Sequence, residues 1–334
     1  MTGPAPAVFA TAPRVSVVTP AYNESANLPL LYERLRAVLD ALPEPAPWEW
    51  IVIDDHSADN TFQVVCALAA RDPRVRGVRL ARNSGSHTAL AYGLHHCRGD
   101  CAVVLAADLQ DPPEILPDLI TGWKNGAQIV WAVRAGREGE AAQTVAFSRL
   151  YYWLMRRVVG MKELPPTGAD FFLLDRAVLD AFRGFRESNT SILALLTWMG
   201  FRQTSISYVK QARVHGRSGW TFAKKLKLVV DSVTAFTFLP IRVMSYGGLL
   251  VALAGFAYAV FVIIHALTGS PTEGWSSLMV VVLVMGGIQM LMMGVLGEYL
   301  WRALDESRRR PRYLIEAVTP SGPTEAGDPT APTP

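Results

Sequence analysis

The chain has 334 residues, of which 50% are hydrophobic and 18% are charged, and its formal net charge at pH 7 is +3. A charge so near zero gives no reason to expect a nucleic-acid partner. The three cysteines, Cys66, Cys97 and Cys101, lack C-x-x-C spacing, which argues against a disulfide framework and is typical of reduced thiols in a cytosolic domain.

Both ends of the chain, residues 1–13 and 317–334, are rich in Pro, Ala, Thr and Gly, a composition that predicts disordered tails. The first tail has no basic segment followed by an unbroken apolar core, so no signal peptide is expected. Between the tails, four short apolar runs predict β-strands. In chain order they are VSVV (15–18), WIVI (50–53), CAVVL (101–105) and QIVWAV (128–133).

Helical periodicity lies between these runs. Five leucines recur at helical spacing after the first strand, at Leu28, Leu31, Leu35, Leu39 and Leu42. A second helix is predicted over 60–70, with Ser57 or Asp59 as its capping residue. Apolar strands that alternate with helices indicate an α/β domain whose mainly parallel sheet is covered on both faces.

Polar side chains follow each predicted strand, in the segments TPAYNES (19–25), DDHSADN (54–60), AADLQDPPE (106–114) and RAGREGE (134–140). The carboxyl ends of parallel strands share one edge of the sheet, where ligands bind. This edge lacks the glycine-rich loops of dinucleotide and P-loop sites, and the chain has no G-x-S-x-G elbow. Its carboxylate and amide oxygens suit a nucleoside and a hard cation such as Mg²⁺ or Mn²⁺.

Within AADLQDPPE, two different roles are expected. Residues two apart in an extended chain point to the same side, so Asp108 and Gln110 can present oxygens together. Asp111, the two prolines and Glu114 have the pattern of a helix start, with Asp111 as the cap. Asp108 has no such structural explanation and is the better candidate for a metal ligand.

The apolar excess of the composition lies after Pro240. No Lys, Arg, Asp or Glu occurs at 244–269 or at 275–297, and each run exceeds the ~20 residues needed to cross a bilayer. Two transmembrane helices are therefore predicted, rather than the buried hairpin of a soluble protein. Basic residues flank the outer ends of the pair and are absent from the loop between them, so both termini and the α/β domain are expected in the cytoplasm.

The motifs VVTPAYNES, IDDHSADNT, ARNSGSHTALAYG, RGD, AADLQDPPE, TGADFFLLDR, WMGFRQ and ARVHGRSGW occur in this order. Together they resemble family 2 glycosyltransferases of the GT-A fold, which is Rossmann-like. The closer similarity is to the polyprenyl-phosphate type, namely dolichyl-phosphate mannose synthase and bacterial bactoprenol glucosyltransferases. The segment GEYLWRALDESRRRPRYLIE resembles the bactoprenol type.

The resemblance implies an organisation for the chain. It predicts a GT-A domain (14–218), amphipathic juxtamembrane helices (219–240), two transmembrane helices (241–300) and a cytoplasmic basic segment (301–316). The juxtamembrane segment, and a similar aromatic and basic segment at 145–160, are expected to rest on the membrane surface, with a solvated or core helix as the alternative.

The resemblance also implies roles for individual residues. The nucleotide-binding set is Pro20, Tyr22, Glu24, Asp54, Asp55 and Asn83. Asp108 and Gln110 match the metal-binding segment, which implies Mg²⁺ or Mn²⁺. Asp108, Asp170, Arg134 and Arg137 are the implied catalytic residues, and Arg213, Arg217 and Ser218 would face the lipid phosphate.

Three positions depart from the family pattern. Ala106 stands where the metal segment usually has its first acid, so the metal would have fewer protein ligands. Gly219 stands where a lysine often follows the serine, a charge that Arg217, Lys224 or Lys225 would replace. Phe172 stands where an arginine is frequent.

The expected activity is inverting transfer of a hexose, from UDP-glucose as the favoured donor, to polyprenyl (undecaprenyl) phosphate at the cytoplasmic face of the plasma membrane. GDP-mannose and aminosugar donors are alternatives, as is a membrane-anchored nucleotide-binding protein without catalysis. A processive synthase is disfavoured because Q-x-x-R-W is absent and two spans are too few. A transporter is disfavoured because neither span carries a buried charge. Gly286, Gly287 and Gly294 would allow close helix contact in a homo-oligomer.

Overall fold

The computed structural model describes residues 14–43, 46–135, 151–157, 160, 165, 171–185, 191–211, 229, 234, 236–237, 239–268, 274–308 and 310–320. The chain divides into two compact units. The first comprises Met1–Lys225 with Pro311–Pro334, and the second is Leu226–Arg310. Each unit is an independent body with its own packing.

The first unit is built on one sheet, whose described strands are β1 (Val15–Ala21), β2 (Trp48–Asp54), β3 (Val75–Leu80), β4 (Cys101–Val104), β5 (Ile129–Arg134), β6 (Phe171–Asp175), β7 (Gln203–Tyr208) and β8 (Ile315–Val318). Their order across the sheet is β7-β5-β6-β4-β1-β2-β3-β8. The pairs β1–β2, β2–β3, β1–β4 and β5–β7 are parallel. β6 runs antiparallel to β4 and β5, and β8 runs antiparallel to β3. The predicted mainly parallel sheet is confirmed.

Helices cover both faces of the sheet. They are α1 (Leu28–Asp40), α2 (Thr61–Arg71), α3 (Ser86–His96), α4 (Leu116–Lys124), α5 (Arg176–Arg183) and α6 (Ile192–Trp198). The leucines predicted for α1 are buried at 28, 31, 35 and 39, and they share a core with α2, α4, Val17 and Val52. On the opposite face, α3 lies so close that a Cβ on Gly93 would come 2.2 Å from Val18 Cγ1.

The capping residue of α2 is Asn60, which makes no side-chain cap bond, although one of the two predicted residues, Asp59, bonds the first helical amide. The Thr61 amide donates to Asp59 Oδ1 at 3.0 Å, whereas Ser57 Oγ accepts from the Asn23 amide at 2.9 Å. Asp59 therefore satisfies the first amide of the helix, and Ser57 joins two loops instead.

The RGD motif (98–100) is explained by packing below β4. The amides of Arg98 and Gly99 donate to Glu49 Oε1 and Ser16 Oγ at 2.6 and 2.8 Å, and Ser16 Oγ donates to Glu49 at 2.6 Å. A Cβ on Gly99 would lie 2.7 Å from the Ser16 amide nitrogen and from the Cys101 carbonyl oxygen. Only glycine fits this position without a backbone shift.

We therefore expect Gly99→Ala to lower the free energy of unfolding by about 1–3 kcal/mol, because backbone atoms of two strands must move apart. Thermal unfolding of the purified chain measures the change. Gly247→Ala is the control, since an added Cβ there meets no described atom within 4 Å. Equal melting temperatures for the two variants would contradict this account of the motif.

β8 extends the sheet into the range for which composition predicts a terminal tail. Thr319 is 6% exposed, its amide donates to the Gly77 carbonyl, and its hydroxyl accepts from the Gly77 amide, both at 2.9 Å. The ordered chain thus reaches past residue 317 because the open edge of β3 supplies hydrogen-bond partners.

The second unit contains a pair of long helices, α7 (Leu239–Leu267) and α8 (Trp275–Ser307). By length and composition both are able to cross a membrane, with mean hydropathies of 2.4 and 2.2 for 18-residue windows within Leu239–His265 and Val280–Ser307. The two helices approach at Gly248, where an added Cβ would lie 3.2 Å from Met292 Cε. Added Cβ atoms at Gly286, Gly287 and Gly294 meet no described atom within 4 Å, so these glycines do not form the contact within the pair.

Some expectations lie outside the described residues. They concern the tails at 1–13 and 321–334 and most of 145–160 and 219–240. Within the segment 145–160, the described residues 151–157 are helical, with Met155 buried and Trp153 57% exposed. This helix is amphipathic, as the sequence predicts.

Candidate active site

The order of the strands places a crevice between β1 and β4. From β1 the chain continues to β2 and β3 on one side and returns through α3 to β4 on the other. The loops after β1 and β4 therefore diverge at this point, which is where ligands bind in sheets of this type. The segments TPAYNES and AADLQDPPE are those two loops.

Backbone strain is concentrated at the same edge. Among the described residues, the non-glycine residues with positive φ are Asn23 (57°), His56 (60°) and Leu109 (59°). Each lies in the loop that follows one of the strands β1, β2 and β4. A left-handed conformation costs about 1–3 kcal/mol outside glycine and persists where neighbouring contacts enforce it, commonly at functional sites.

Hydrogen bonds between the loops after β1 and β2 enforce two of these conformations. The Asn23 amide donates to Ser57 Oγ, and the Ala58 amide returns a bond to Asn23 Oδ1, both at 2.9 Å. The Glu24 amide donates to Thr61 Oγ1 at 2.9 Å. These two loops form one rigid wall of the crevice.

Asp54 and Asp55 brace this wall from inside the protein. Asp54 is fully buried, and its two oxygens accept from Arg79 at 2.7 Å and from the Ser57 amide at 2.9 Å. Asp55 accepts from the Ser84 and Gly85 amides at 2.7 and 2.8 Å. Burial raises the pKa of the Asp55 carboxyl, and the two amides offset part of that rise. Both aspartates thus hold the loops together, and direct contact with a nucleotide stays a prediction for each.

The other predicted nucleotide-binding residues are more open to solvent. Tyr22 is 48% exposed, Asn83 is exposed, and Pro20 and Glu24 are half-buried. Glu24 Oε2 accepts from Asn27 Nδ2 at 2.5 Å. An exposed tyrosine ring beside a strand end provides a flat surface on which a base can stack.

The loop after β4 alternates between buried and half-buried residues. Ala107 and Leu109 are buried, while Ala106, Asp108 and Gln110 are half-buried, so these three share the open side. The Gln110 amide donates to Asp108 Oδ1 at 3.2 Å across the strained Leu109. Sequence reasoning placed Asp108 and Gln110 on one side, and the burial pattern agrees.

The chemistry of this loop fits a hard divalent cation with few protein ligands. Carboxylate and amide oxygens from Asp108 and Gln110 are suitable donors. In the part of the chain that the structure describes, no three His, Cys, Asp or Glu side chains come together as a metal cluster. Substrate oxygens would therefore have to complete the coordination shell.

Asp111 does not cap a helix, contrary to the sequence prediction. The helix begins with a 3₁₀ turn at Pro113–Ile115, whose capping residue Pro112 makes no side-chain bond. Asp111 is instead buried, and Oδ1 accepts the Tyr208 hydroxyl at 2.5 Å. The reason is tertiary, since the end of β7 lies over this loop and the Gln211 amide donates to the Gln110 carbonyl at 2.8 Å.

Tyr208 connects the loop after β4 to Arg134 at the end of β5. Its hydroxyl donates to Asp111 and lies near the Arg134 side chain, and burial together with Asp111 raises its pKa. Arg134 and Tyr208 are also register partners in the sheet. Sequence reasoning missed Tyr208 because the run QTSISY (203–208) carries no motif and β7 was not predicted.

Glu114 and Phe172 also have structural roles. Glu114 forms an ion pair with Arg34 of α1 at 2.6 Å, and this hydrogen bond lowers the pKa of the Glu114 carboxyl. Phe172 is 1% exposed and packs edge-on against Trp131. The phenylalanine that stands here in place of the family's frequent arginine is therefore part of the core. Asp170, Arg137, Arg213, Arg217 and Ser218 lie outside the described residues, and their predicted roles stay predictions.

Two family models match the chain. The model described as glycosyl transferase family 2 matches residues 16–183, and the model described as the GtrB C-terminal hairpin matches residues 239–302. The first match spans β1 to β6 of the first unit's sheet, and the second spans α7 and most of α8.

Known proteins resemble the chain over most of its length. It is 36% identical to the uncharacterized glycosyltransferase YkcC of Bacillus subtilis, covering 90% of this chain and 93% of that protein. It is 35% identical to the bactoprenol glucosyl transferase of Shigella phage SfV, covering 91% and 98%. Among solved structures, it resembles the mannosyltransferase PcManGT of Pyrobaculum calidifontis, which was solved in complex with GDP-Man and Mn²⁺. The identity is 19% and the TM-score is 0.44, and the similarity covers 87% of this chain and 88% of that chain.

The match to the family model and the identities to full-length relatives show the family. The chain belongs to glycosyl transferase family 2 and is a glycosyltransferase of the GT-A fold, followed by two helices of the GtrB hairpin type that are able to span a membrane.

Proposed function

We propose that this enzyme transfers a hexose from a nucleotide sugar to a polyprenyl phosphate at the surface of the plasma membrane. The observation that carries the proposal is the union, in one chain, of a family 2 catalytic edge and a GtrB-type hairpin. An acceptor with a polyprenyl tail lies in the bilayer, so its transferase must work at the membrane. Relatives named bactoprenol glucosyl transferases, 35% identical over 91% of this chain, support the same acceptor class.

The nucleotide of the donor is proposed to lie against the wall formed by the loops after β1 and β2. Tyr22 provides a stacking surface, and the bonds of Asn23 with Ser57 and Ala58 hold the two loops together. UDP-glucose is the favoured donor. GDP-mannose and aminosugar donors are the alternatives, since discrimination among hexoses depends on a few hydrogen bonds.

A divalent cation, Mg²⁺ or Mn²⁺, would be held by Asp108 and Gln110. When bound, it would neutralise the diphosphate and stabilise the leaving nucleotide. The oxygen atoms of Asp108 and Gln110 are suitable ligands for such a cation. Because position 106 is alanine, Asp108 is the carboxylate on the open side of the loop after β4.

The acceptor needs little activation by the protein. The second pKa of a phosphate monoester is near ~6, so the acceptor oxygen is already ionised at neutral pH. Attack from the face opposite the diphosphate forms the bond between the anomeric carbon and the phosphate oxygen and breaks the bond to the diphosphate. The configuration at the anomeric carbon inverts, and the nucleoside diphosphate leaves.

The remaining difficulty is repulsion between two anions. Arg134, held at the edge by Tyr208, is proposed to offset the charge of the phosphates. Arg137, Arg213, Arg217 and Ser218 are proposed to bind the lipid phosphate, and Asp170 is proposed to lie near the reacting groups. The catalytic unit and both termini are proposed to be cytoplasmic, with the sugar added on that side.

Membranes containing the chain should convert undecaprenyl phosphate and one labelled nucleotide sugar into a single glycolipid with inverted anomeric configuration. A panel of UDP-glucose, GDP-mannose and UDP-N-acetylglucosamine, with Mg²⁺ or Mn²⁺, identifies the donor by mass spectrometry of the lipid fraction. Membranes lacking the protein are the control. Transfer to a soluble sugar but never to the lipid would contradict the proposed acceptor.

Ala106 favours one other candidate, a membrane-anchored protein that binds nucleotide without catalysis. The same panel separates the two functions. Binding of UDP with metal, but no labelled lipid with any donor, would support the binding protein.

A further inference from the structure

β8 brings an acidic side chain from far along the chain to the donor side of the sheet. In its pairing with β3, Arg79 lies opposite Ala317 and Leu80 lies opposite Ile315, with a register shift between them. Glu316 is therefore the extra residue of a β-bulge. Bulges redirect side chains and are frequent at sheet edges beside active sites.

The Glu316 carboxylate binds two groups at the same time. Its Oε2 accepts from Arg79 Nε at 3.0 Å and lies 3.0 Å from His56 Nδ1. His56 Nδ1 is also 3.1 Å from the Leu80 carbonyl oxygen. Because both neighbours of Nδ1 are acceptors, this nitrogen carries the proton and donates to them.

Arg79 extends this contact to the wall of the crevice. Its NH1 group donates to the buried Asp54 at 2.7 Å, and NH2 donates to the Ser57 carbonyl at 3.1 Å. One guanidinium thus uses one nitrogen for Glu316 and two for the turn that follows β2. Ser57 in turn accepts from Asn23, whose neighbour Tyr22 is exposed at the site.

The strained backbone of His56 lies between these contacts. Its φ of 60° directs the chain from Asp54 into the turn, and its ring is held on the outside by Glu316 and Leu80. Without Glu316, the ring and Arg79 Nε each lose a charged partner. The turn then keeps its bonds to Asn23 and Asp54 but loses the contact that fixes the His56 ring and Arg79 Nε on its outer side.

We propose that Glu316 is a positioning residue of the donor site, which holds Arg79 and His56 so that the turn after β2 keeps the shape that receives the nucleotide. The inference rests on the proposed function, because it takes a nucleoside diphosphate as the ligand of that wall. It assigns to β8, the strand that follows the membrane hairpin in the chain, a part in substrate affinity.

The contacts of Glu316 are expected to affect the geometry of the turn after β2 more than the stability of the fold. The Glu316 side chain is 45% exposed, and ion pairs with that exposure add little to the stability of the fold. The hydrogen bond from Arg79 lowers the pKa of the Glu316 carboxyl, so the side chain is ionised throughout the neutral range. The depressed pKa means that the contact is intact above the ordinary glutamate value and is lost only as the pH falls below it.

Glu316→Gln tests the proposal in the full-length protein in detergent micelles. We expect its Kd for the nucleoside diphosphate, and its KM for the matching donor, to rise about tenfold. We expect kcat and the KM for undecaprenyl phosphate to change less than about twofold, a separation that general loss of folded protein would not produce.

Two further variants control the measurement. Val318→Thr alters an exposed residue of the same strand, 61% exposed, and should leave both constants unchanged. In a double-mutant cycle, Arg79→Lys and Glu316→Gln should be clearly non-additive in nucleotide affinity, because both changes weaken the contact between Arg79 Nε and Glu316. Arg79→Lys alone should have the larger effect, because it also loses bonds to Asp54 and Ser57.

The probes are UDP, GDP, CDP and TDP with Mn²⁺, titrated into the wild-type chain to select the one that binds. If the selected nucleotide binds Glu316→Gln as tightly as the wild type, the positioning role is overturned and the proposed function stands. If the wild-type chain binds none of the four, the proposed function and this inference both fail.

Discussion

Replacing Asp108 by Asn should lower kcat for glycolipid formation by about 10²–10³-fold, while the protein stays folded and inserted in the membrane. The substitution keeps the size of the side chain and removes its charge at the half-buried position proposed for the metal. In the described part of the chain, no cluster of three metal-binding side chains offers a substitute. Initial rates at saturating donor and acceptor measure the loss.

Asp118→Asn is the matched control, because Asp118 is an exposed carboxylate of α4, ten residues further along the chain. It should retain wild-type turnover. Raising the Mn²⁺ concentration should restore part of the Asp108→Asn activity if the loss is in metal affinity. Wild-type turnover by Asp108→Asn at all metal concentrations would remove this residue from the mechanism.

Replacing Arg134 by Ala should lower kcat by about 10²-fold, because a preorganised cation near the phosphates is lost. The fold should tolerate the change, since Arg134 is half-buried at the end of β5 and its strand partner Tyr208 keeps Asp111. Arg134→Lys should recover part of the rate, because the charge returns without the planar guanidinium. Single-turnover assays with labelled donor separate this loss from a change in binding.

Arg71→Ala, at the exposed end of α2, provides the control for loss of one positive charge. Tyr208→Phe tests whether the placement of Arg134 matters in addition to its charge. This variant keeps the charge of Arg134 and removes the Tyr208 hydroxyl that bonds to Asp111. A rate for Arg134→Ala equal to that of Arg71→Ala would exclude Arg134 from charge compensation.

Much of the central sheet and the place of the site could be predicted from the sequence. The runs that became β1, β2, β4 and β5 are continuous and apolar because both faces of these strands are buried. Leu28, Leu31, Leu35 and Leu39 revealed α1 because one stripe of that helix meets the core. Since the strands are parallel, their polar ends had to lie at one edge.

The edge strands could not be predicted in the same way. The residues of β7 are half-buried or exposed except for the buried Tyr208, and Ile315 and Val318 of β8 are 39% and 61% exposed. Such strands form because a neighbouring strand offers unpaired backbone groups. Residues 315–318 span the end of the predicted basic segment and the start of the predicted tail, and neither composition indicated that they would pair with β3.

The sequence by itself determined the α/β class, the two apolar helices and the edge on which the polar residues gather, because hydrophobic periodicity is a local property and strands that alternate with helices form mainly parallel sheets. Only the tertiary structure decided which of those polar residues face the crevice. Asp54, Asp55 and Asp111 stand in the same motifs as Asp108, yet they are buried against Arg79, two amides and Tyr208. A carboxylate's partners depend on segments far away in the chain, and in Glu316 that dependence extends to a strand 237 residues beyond Arg79.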